Sequence, residues 1–322
     1  MTKTRAPFPY FGGKSRAASL VWGALGDVDS YVEPFAGSAA VLLARPEWHR
    51  RMVETINDQH CFVANFWRAL AADPEAVAHW ANWPVNETDM HARHKWLVYG
   101  DGSDEWRERM DSDPEHYDAK RAGWWVWGLS AWIGDGWCYV KSGRITLSNQ
   151  RPHLGNLGMG VHSLLRRTEL HKTFSELAQR LRHVRVVCGD WARVCGESVL
   201  LHPVGGTLAG VFLDPPYAFA AGRAETLYAV DSATVANDVR AWCADHGADP
   251  RLRIVLAGYT GEHEELEASG WRCVAWKASG GFGLQGQNRA RENSKRERLW
   301  FSPHCLRGNE MRQAEMFEEV TP

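Results

Sequence analysis

Apolar residues fall into short dense runs, and between the runs they recur at every third or fourth position. Dense runs suit strands buried on both faces of a sheet, and the wider spacing suits helices laid against it. Residues 30–35, 51–58, 183–190, 208–214 and 252–256 read as strands on this basis, with further strands at 272–276 and 298–301. A helix is expected directly after the first strand, over residues 36–43, and Phe62, Phe66 and Leu70 set the apolar stripe of the next. Helices are also expected near residues 233–246 and 262–268. This alternation predicts an α/β fold, with a mostly parallel sheet covered by helices on both faces. The rhythm lapses over residues 79–185, which read as an inserted, mainly helical domain, with 1–78 and 186–322 forming the sheet domain around it.

In open parallel sheets, ligands bind outside the carboxyl ends of the strands, where the strand order reverses. Those ends carry distinctive residues here. Glu33-Pro34-Phe35-Ala36-Gly37-Ser38 closes the first strand, Asn57-Asp58 the second, Gly189-Asp190 the third and Asp214-Pro215-Pro216-Tyr217 the fourth. Successive strand ends bearing glycine or an acid describe one crevice. Gly37 lets a ligand approach the backbone, and the helix behind it offers free amides. An acid after the second strand suits a ribose diol. NAD or any adenosyl ligand meets both conditions, but Ala36-Gly37-Ser38-Ala39-Ala40 lacks the G-x-G-x-x-G spacing that admits a pyrophosphate, which favours a smaller adenosyl ligand.

Composition narrows the classes. With 322 residues, 44% apolar and 24% charged, the chain has the make-up of a soluble globular protein with one large interrupted domain or two. No apolar run reaches membrane-spanning length and the first residues lead into no signal-peptide core, so a cytoplasmic location is expected. The seven cysteines stand far apart without C-x-x-C spacing, which gives neither a zinc site nor a disulfide framework, and no metal is expected. His91 and His94 lie in a charged helical stretch and read as surface residues. A net charge of −2 is not that of a generic polyanion binder, so contact with nucleic acid must come from local patches.

Taken in order, Tyr10-Phe11-Gly12-Gly13-Lys14, Glu33-Pro34-Phe35-Ala36-Gly37-Ser38, Ile56-Asn57-Asp58 and Asp214-Pro215-Pro216-Tyr217 resemble the Dam-type (D12 class) DNA adenine N6-methyltransferases. The resemblance covers the N-terminal segment and the sheet, and departs at Ala39, where that family often has a second glycine. It implies a class I (Rossmann-like) methyltransferase sheet, S-adenosyl-L-methionine as cofactor and double-stranded DNA as substrate. It also implies that Lys14 pairs with the cofactor's methionine carboxylate, that Tyr10, Gly12, Phe35, Ala36, Gly37 and Ser38 line its slot, that Asp58 holds the ribose, and that Asp190 and Trp191 receive the adenine. Lys14 as a solvated cation, and Asp58 and Asp190 as simple helix caps, are the plainer alternatives. The Asp214 carboxylate and the Pro215 carbonyl would accept the two N–H bonds of the target amine, with Pro215 and Pro216 holding both acceptors rigidly and Tyr217 stacking on the base. A base inside a duplex cannot reach such a pocket, so the target must be flipped out. The sulfonium of the cofactor is already a good leaving group, so the resemblance calls for no metal.

The insertion segregates its charge. Residues 86–118 hold ten acids against four Lys or Arg, and residues 141–185 hold nine Lys or Arg against two acids. Lys141, Arg144, Arg151, Arg166 and Arg167, with His153 and His162, form a stripe suited to phosphate contacts. Between the halves, the tryptophans around residues 124–137 read mostly as the insertion's core, and residues 139–147 suit a short hairpin able to enter a groove. The Gly- and Arg-rich stretch 279–296, with Arg289, Arg291 and Lys295, reads as a loop that orders on DNA. Residues 308–322 read as a solvated tail. The same acceptor pair would serve cytosine N4 or an RNA base, and a catalytically silent DNA-binding relative is the remaining alternative. The recognition sequence, the oligomeric state and any partner nuclease are not legible.

Overall fold

The computed structural model describes residues 6–8, 14–46, 53–100, 102–113, 115–132, 137–138, 140–141, 144–145, 152, 160–163, 169–201, 207–216, 232–276 and 296–307. Its elements run α1 (Ala18–Leu25), β1 (Ser30–Glu33), α2 (Ala40–Leu43), β2 (Val53–Asp58), α3 (Cys61–Ala72), α4 (Pro74–Ala81), α5 (Glu87–Tyr99), α6 (Ser103–Ser112) and α7 (Ala119–Leu129). There follow β3 (Val140–Lys141), β4 (Arg144–Ile145), α8 (Leu170–Leu181), β5 (Val184–Cys188), α9 (Glu197–Leu200), β6 (Ala209–Leu213), α10 (Ser232–His246), β7 (Leu252–Tyr259), β8 (Arg272–Ala275) and β9 (Glu297–Phe301).

The architecture is mixed α/β around a seven-stranded sheet in the order β5-β2-β1-β6-β7-β9-β8. The first five strands of that order are parallel, and β9 is antiparallel to both of its neighbours. The period-two alternation of strand side chains separates two cores. Tyr31, Phe212, Val255 and Ala257 pack with α1 and α3 on one face, while Val32, Val211, Leu213, Ile254 and Leu256 pack with α10 on the other. All five residues of β6 are buried, as a central parallel strand requires. The chain runs from β1 out to β2 and β5, then returns to lay β6 on the other side of β1, so the order reverses between β1 and β6.

The strands fall within a few residues of the positions predicted, and two helices differ. The helix expected over 36–43 is confined to Ala40–Leu43, because Gly37 and Ala39 take left-handed backbone at φ 46° and 49°. The expected helix at 262–268 is a 3₁₀ turn, Glu264–Ser269. The Glu262 and Glu264 carboxylates accept from the Tyr259 and Gly261 amides ahead of it, and Gly270 in a left-handed conformation ends it.

The helices between β2 and β5 are built by capping and close approach. Asp73, Asn86 and Asp118 accept amide hydrogen bonds at the starts of α4, α5 and α7. Gly123 lets α7 lie directly on α4, since a Cβ there would stand 2.4 Å from Trp80 Cβ and 2.8 Å from the Val77 carbonyl. Trp125, Trp127, Trp132 and Trp137 are buried, as core residues must be, but in the same apolar cluster as α1 and α3 and not in a cluster belonging to the expected insertion alone. The expected hairpin exists as the antiparallel pair β3–β4, with Val140 opposite Ile145 and Lys141 opposite Arg144.

Two histidine readings are corrected. His94 is completely buried, stacked on Trp132 with its Nδ1 accepting from the Cys138 amide, and burial pushes its pKa down to about 4. Helical spacing puts it on the buried stripe of Met90, Leu97 and Val98, which the charged composition of α5 conceals. His162 is also buried, with Nε2 2.8 Å from the Trp127 carbonyl, so it belongs to the core and not to a phosphate-facing stripe. Among the described residues no helix is long and apolar enough to cross a membrane.

Candidate active site

The carboxyl ends of β5, β2, β1 and β6 lie side by side, so the residues that follow them share one edge of the sheet. Adjacent strands are spaced about 4.8 Å apart, which puts the ends of β2 and β6 roughly 10 Å from each other across β1. Asp58 stands at one of these ends and Asp214 at the other.

Asp58 is fixed by two backbone donors: its Oδ2 accepts from the Gly37 amide at 2.9 Å and its Oδ1 from the His60 amide at 2.8 Å. Burial pushes its carboxyl up to about 6 in spite of those two bonds. The Gly37 carbonyl accepts from Trp67 Nε1 at 2.9 Å, so the turn after β1 is clamped from both sides. Asn57 completes the frame, with Nδ2 donating to the Pro34 carbonyl at 2.9 Å and the Gly189 carbonyl at 3.0 Å. One buried amide thereby joins the loops after β1 and β5.

Beyond that clamp, Asp190 is exposed and accepts from the Ala192 amide, the capping role that was its plainer alternative. The neighbouring Trp191 is buried, its ring stacked on Phe35 with centroids 6.1 Å apart. Ala36 and Ser38 are buried within the β1 turn.

Lys14 is only 3% exposed, and its Nζ lies 2.9 Å from Asp214 Oδ2 and 3.9 Å from Glu297 Oε2. Two hundred residues of sequence separate this cation from the acid it holds. Pro215 is buried directly behind Asp214. Glu33, at the end of β1 between the two aspartates, is also buried. Its Oε2 accepts from the Tyr31 hydroxyl at 3.0 Å and the Leu42 amide at 3.1 Å. Burial pushes its pKa up to about 8, with the charge of Asp214 adding to the rise, so Glu33 is mostly neutral at pH 7. This sheet edge therefore carries a backbone-held carboxylate and a lysine-held carboxylate, with a buried neutral acid between their strands.

Residues 10–95 match the D12 class N6 adenine-specific DNA methyltransferase family. The matched span takes in Lys14, the turn after β1 and Asp58, and stops before Asp190 and Asp214. No curated protein matches the chain.

The structure thus brings together Lys14, Phe35, Ala36, Gly37, Ser38, Asp58, Asp190, Trp191, Asp214, Pro215 and Pro216 at one sheet edge. Tyr10, Gly12, Tyr217, Arg151, His153, Arg166, Arg167, Arg289, Arg291 and Lys295 lie outside the described residues, and of Lys141 and Arg144 only the backbone is described. The sequence places Glu33 and Asn57 inside the strand-end motifs but assigns neither a role of its own, and nothing in the local pattern marks Trp67 as the partner of Gly37.

Proposed function

We propose that this chain transfers a methyl group from S-adenosyl-L-methionine to the N6 amine of an adenine flipped out of duplex DNA. The observation that carries the reading is Asp214, a carboxylate at the end of β6, gripped by buried Lys14 on the same sheet edge as the Gly37–Asp58 clamp. The family match over residues 10–95 supports DNA adenine as the target. A sheet whose order reverses between β1 and β6, with antiparallel β9 beside β7, is consistent with a class I (Rossmann-like) methyltransferase.

The residues present fit the cofactor. The amides of Gly37 and His60 occupy one lone pair on each Asp58 oxygen, and an ionised carboxylate has further lone pairs for a diol. Phe35 and Trp191 give an apolar wall beside it, and Lys14, with Asp214 at 2.9 Å and Glu297 at 3.9 Å, supplies the buried cation of this edge. S-adenosyl-L-methionine supplies a methyl group on a cationic sulfur. The chain's own contribution is positioning. Lys14 keeps the Asp214 carboxylate in place, and Pro215 and Pro216 stiffen the backbone behind it. The Asp214 oxygen and the Pro215 carbonyl accept the two amine N–H bonds, which draws the nitrogen lone pair out of the ring. Tyr217 stacks on the flipped base, and the amine proton leaves to solvent. Lys141, Arg144, Arg151, Arg166 and Arg167, with Arg289, Arg291 and Lys295, would contact DNA phosphates.

The test is methyl transfer from labelled cofactor to duplex DNA, followed by nucleoside analysis. N6-methyladenine is expected from the wild type, and Asp214→Ala is expected to lose transfer while still binding cofactor. Label on cytosine or RNA, or full transfer by Asp214→Ala, overturns the assignment.

A further inference from the structure

The fold brings together two cysteines that the sequence keeps 127 positions apart. Cys188 ends β5 and Cys61 begins α3, and their sulfurs stand 4.0 Å apart. Asp111, on α6, joins them: one ligand atom from each of the three residues lies within 4.8 Å of the others. Cys188 is buried, Cys61 half-buried and Asp111 exposed.

The spacing is informative. A disulfide needs sulfurs about 2.05 Å apart. Two thiolates on one tetrahedral zinc ion, each bonded at about 2.3 Å, stand roughly 3.8 Å from each other. The observed 4.0 Å, at which the Cys188 thiol donates to Cys61, is close to that second distance and far from the first. The ligand types agree with it, since thiolates with a carboxylate select a thiophilic ion such as zinc over magnesium or calcium.

We propose that Cys61, Cys188 and Asp111 form a binding site for one zinc ion, with a fourth position open to water on the exposed side of Asp111. The two thiols release their protons to solvent as the sulfur–metal bonds form. The site ties α6 to both strand ends of the cofactor side. Cys188 pairs with Asp58 across the sheet and precedes Gly189-Asp190-Trp191, and Cys61 follows Asp58 by three positions. A bound ion therefore staples the Asp58 and Asp190 loops to a helix of the inserted segment.

The experiment uses the full chain, reduced with a phosphine and stripped of metal, and needs neither cofactor nor DNA, so its outcome is separable from the methyltransferase reading. Dialysis against zinc is expected to leave one equivalent per chain and to raise the thermal midpoint. Cobalt(II) in its place is expected to produce the near-ultraviolet sulfur-to-cobalt absorption. Cys61→Ser and Cys188→Ser should each lose that absorption. Asp111→Asn, an exposed change with little effect on folding, should weaken zinc by at least about tenfold, the loss that even an outer-shell partner causes. Wild-type protein without the sulfur-to-cobalt band, or folded serine variants that retain stoichiometric zinc, would overturn the proposal.

Discussion

Changing pH across the range in which Asp58 titrates separates a ribose-holding carboxylate from a mere cap. Burial raises this acid to about 6 from an ordinary 3.8, against the lowering effect of the His60 and Gly37 amides. A diol donates two hydrogen bonds, and the protonated acid surrenders part of its acceptor capacity. With a pKa near 6, about half of the molecules carry ionised Asp58 at pH 6 and roughly one in eleven at pH 5. The apparent Kd for S-adenosyl-L-methionine should therefore be about tenfold weaker at pH 5 than at pH 7.5, and flat above pH 7. Stability runs the other way. The carboxyl is raised in the fold, so its contribution is fully present below pH 3.8 and is lost as pH rises through about 6. The loss is on the order of 2 kcal/mol after allowing for partial exposure. The free protein should thus lose stability over the interval in which cofactor binding improves. Calorimetric titrations between pH 5 and 7.5, paired with thermal melts, read both slopes. Asp58→Asn should bind weakly with a Kd that does not change with pH, and its stability should fall less than the wild type's over this interval, keeping only the slope that Glu33 contributes. A pH-independent Kd in the wild type, or the same slope in Asp58→Asn, would refute the reasoning.

Glu33→Gln keeps an acceptor for the Tyr31 hydroxyl and the Leu42 amide and removes a buried acid raised to about 8. The wild type should lose stability as pH rises from 4.5 through about 8, so the stabilising effect of the glutamine, followed by thermal melts, should grow over that interval and level off above it. Asn57→Ala strips the Pro34 and Gly189 carbonyls of a shared buried donor; a loss of about 2–4 kcal/mol is expected, read as a lower urea midpoint at unchanged slope. Ala39→Gly should be close to neutral in the same assay. Relief of left-handed strain, about 1–2 kcal/mol, is offset by a lost buried methyl of about 0.8 and by a more flexible unfolded chain.

The strands were legible in the sequence because each is a short apolar run closed by proline, glycine or an acid, and those signals are local. The same locality exposed the β1 turn, Asn57-Asp58 and Asp214-Pro215-Pro216, since residues that end parallel strands must meet along one edge. Helical composition misled at His94, where a charged helix buries a stripe that only the neighbouring tryptophans define. Backbone hand at Ala39 was likewise invisible, because the Gly37–Asp58 bond that accompanies it joins separate strands. Lys14 with Asp214, Asn57 with Gly189, and Cys61 with Cys188 are each more than a hundred residues apart in the chain. Such pairs, and the raised titrations of Glu33 and Asp58, depend on which strands become neighbours and how much water they exclude, and no run of adjacent residues encodes either quantity.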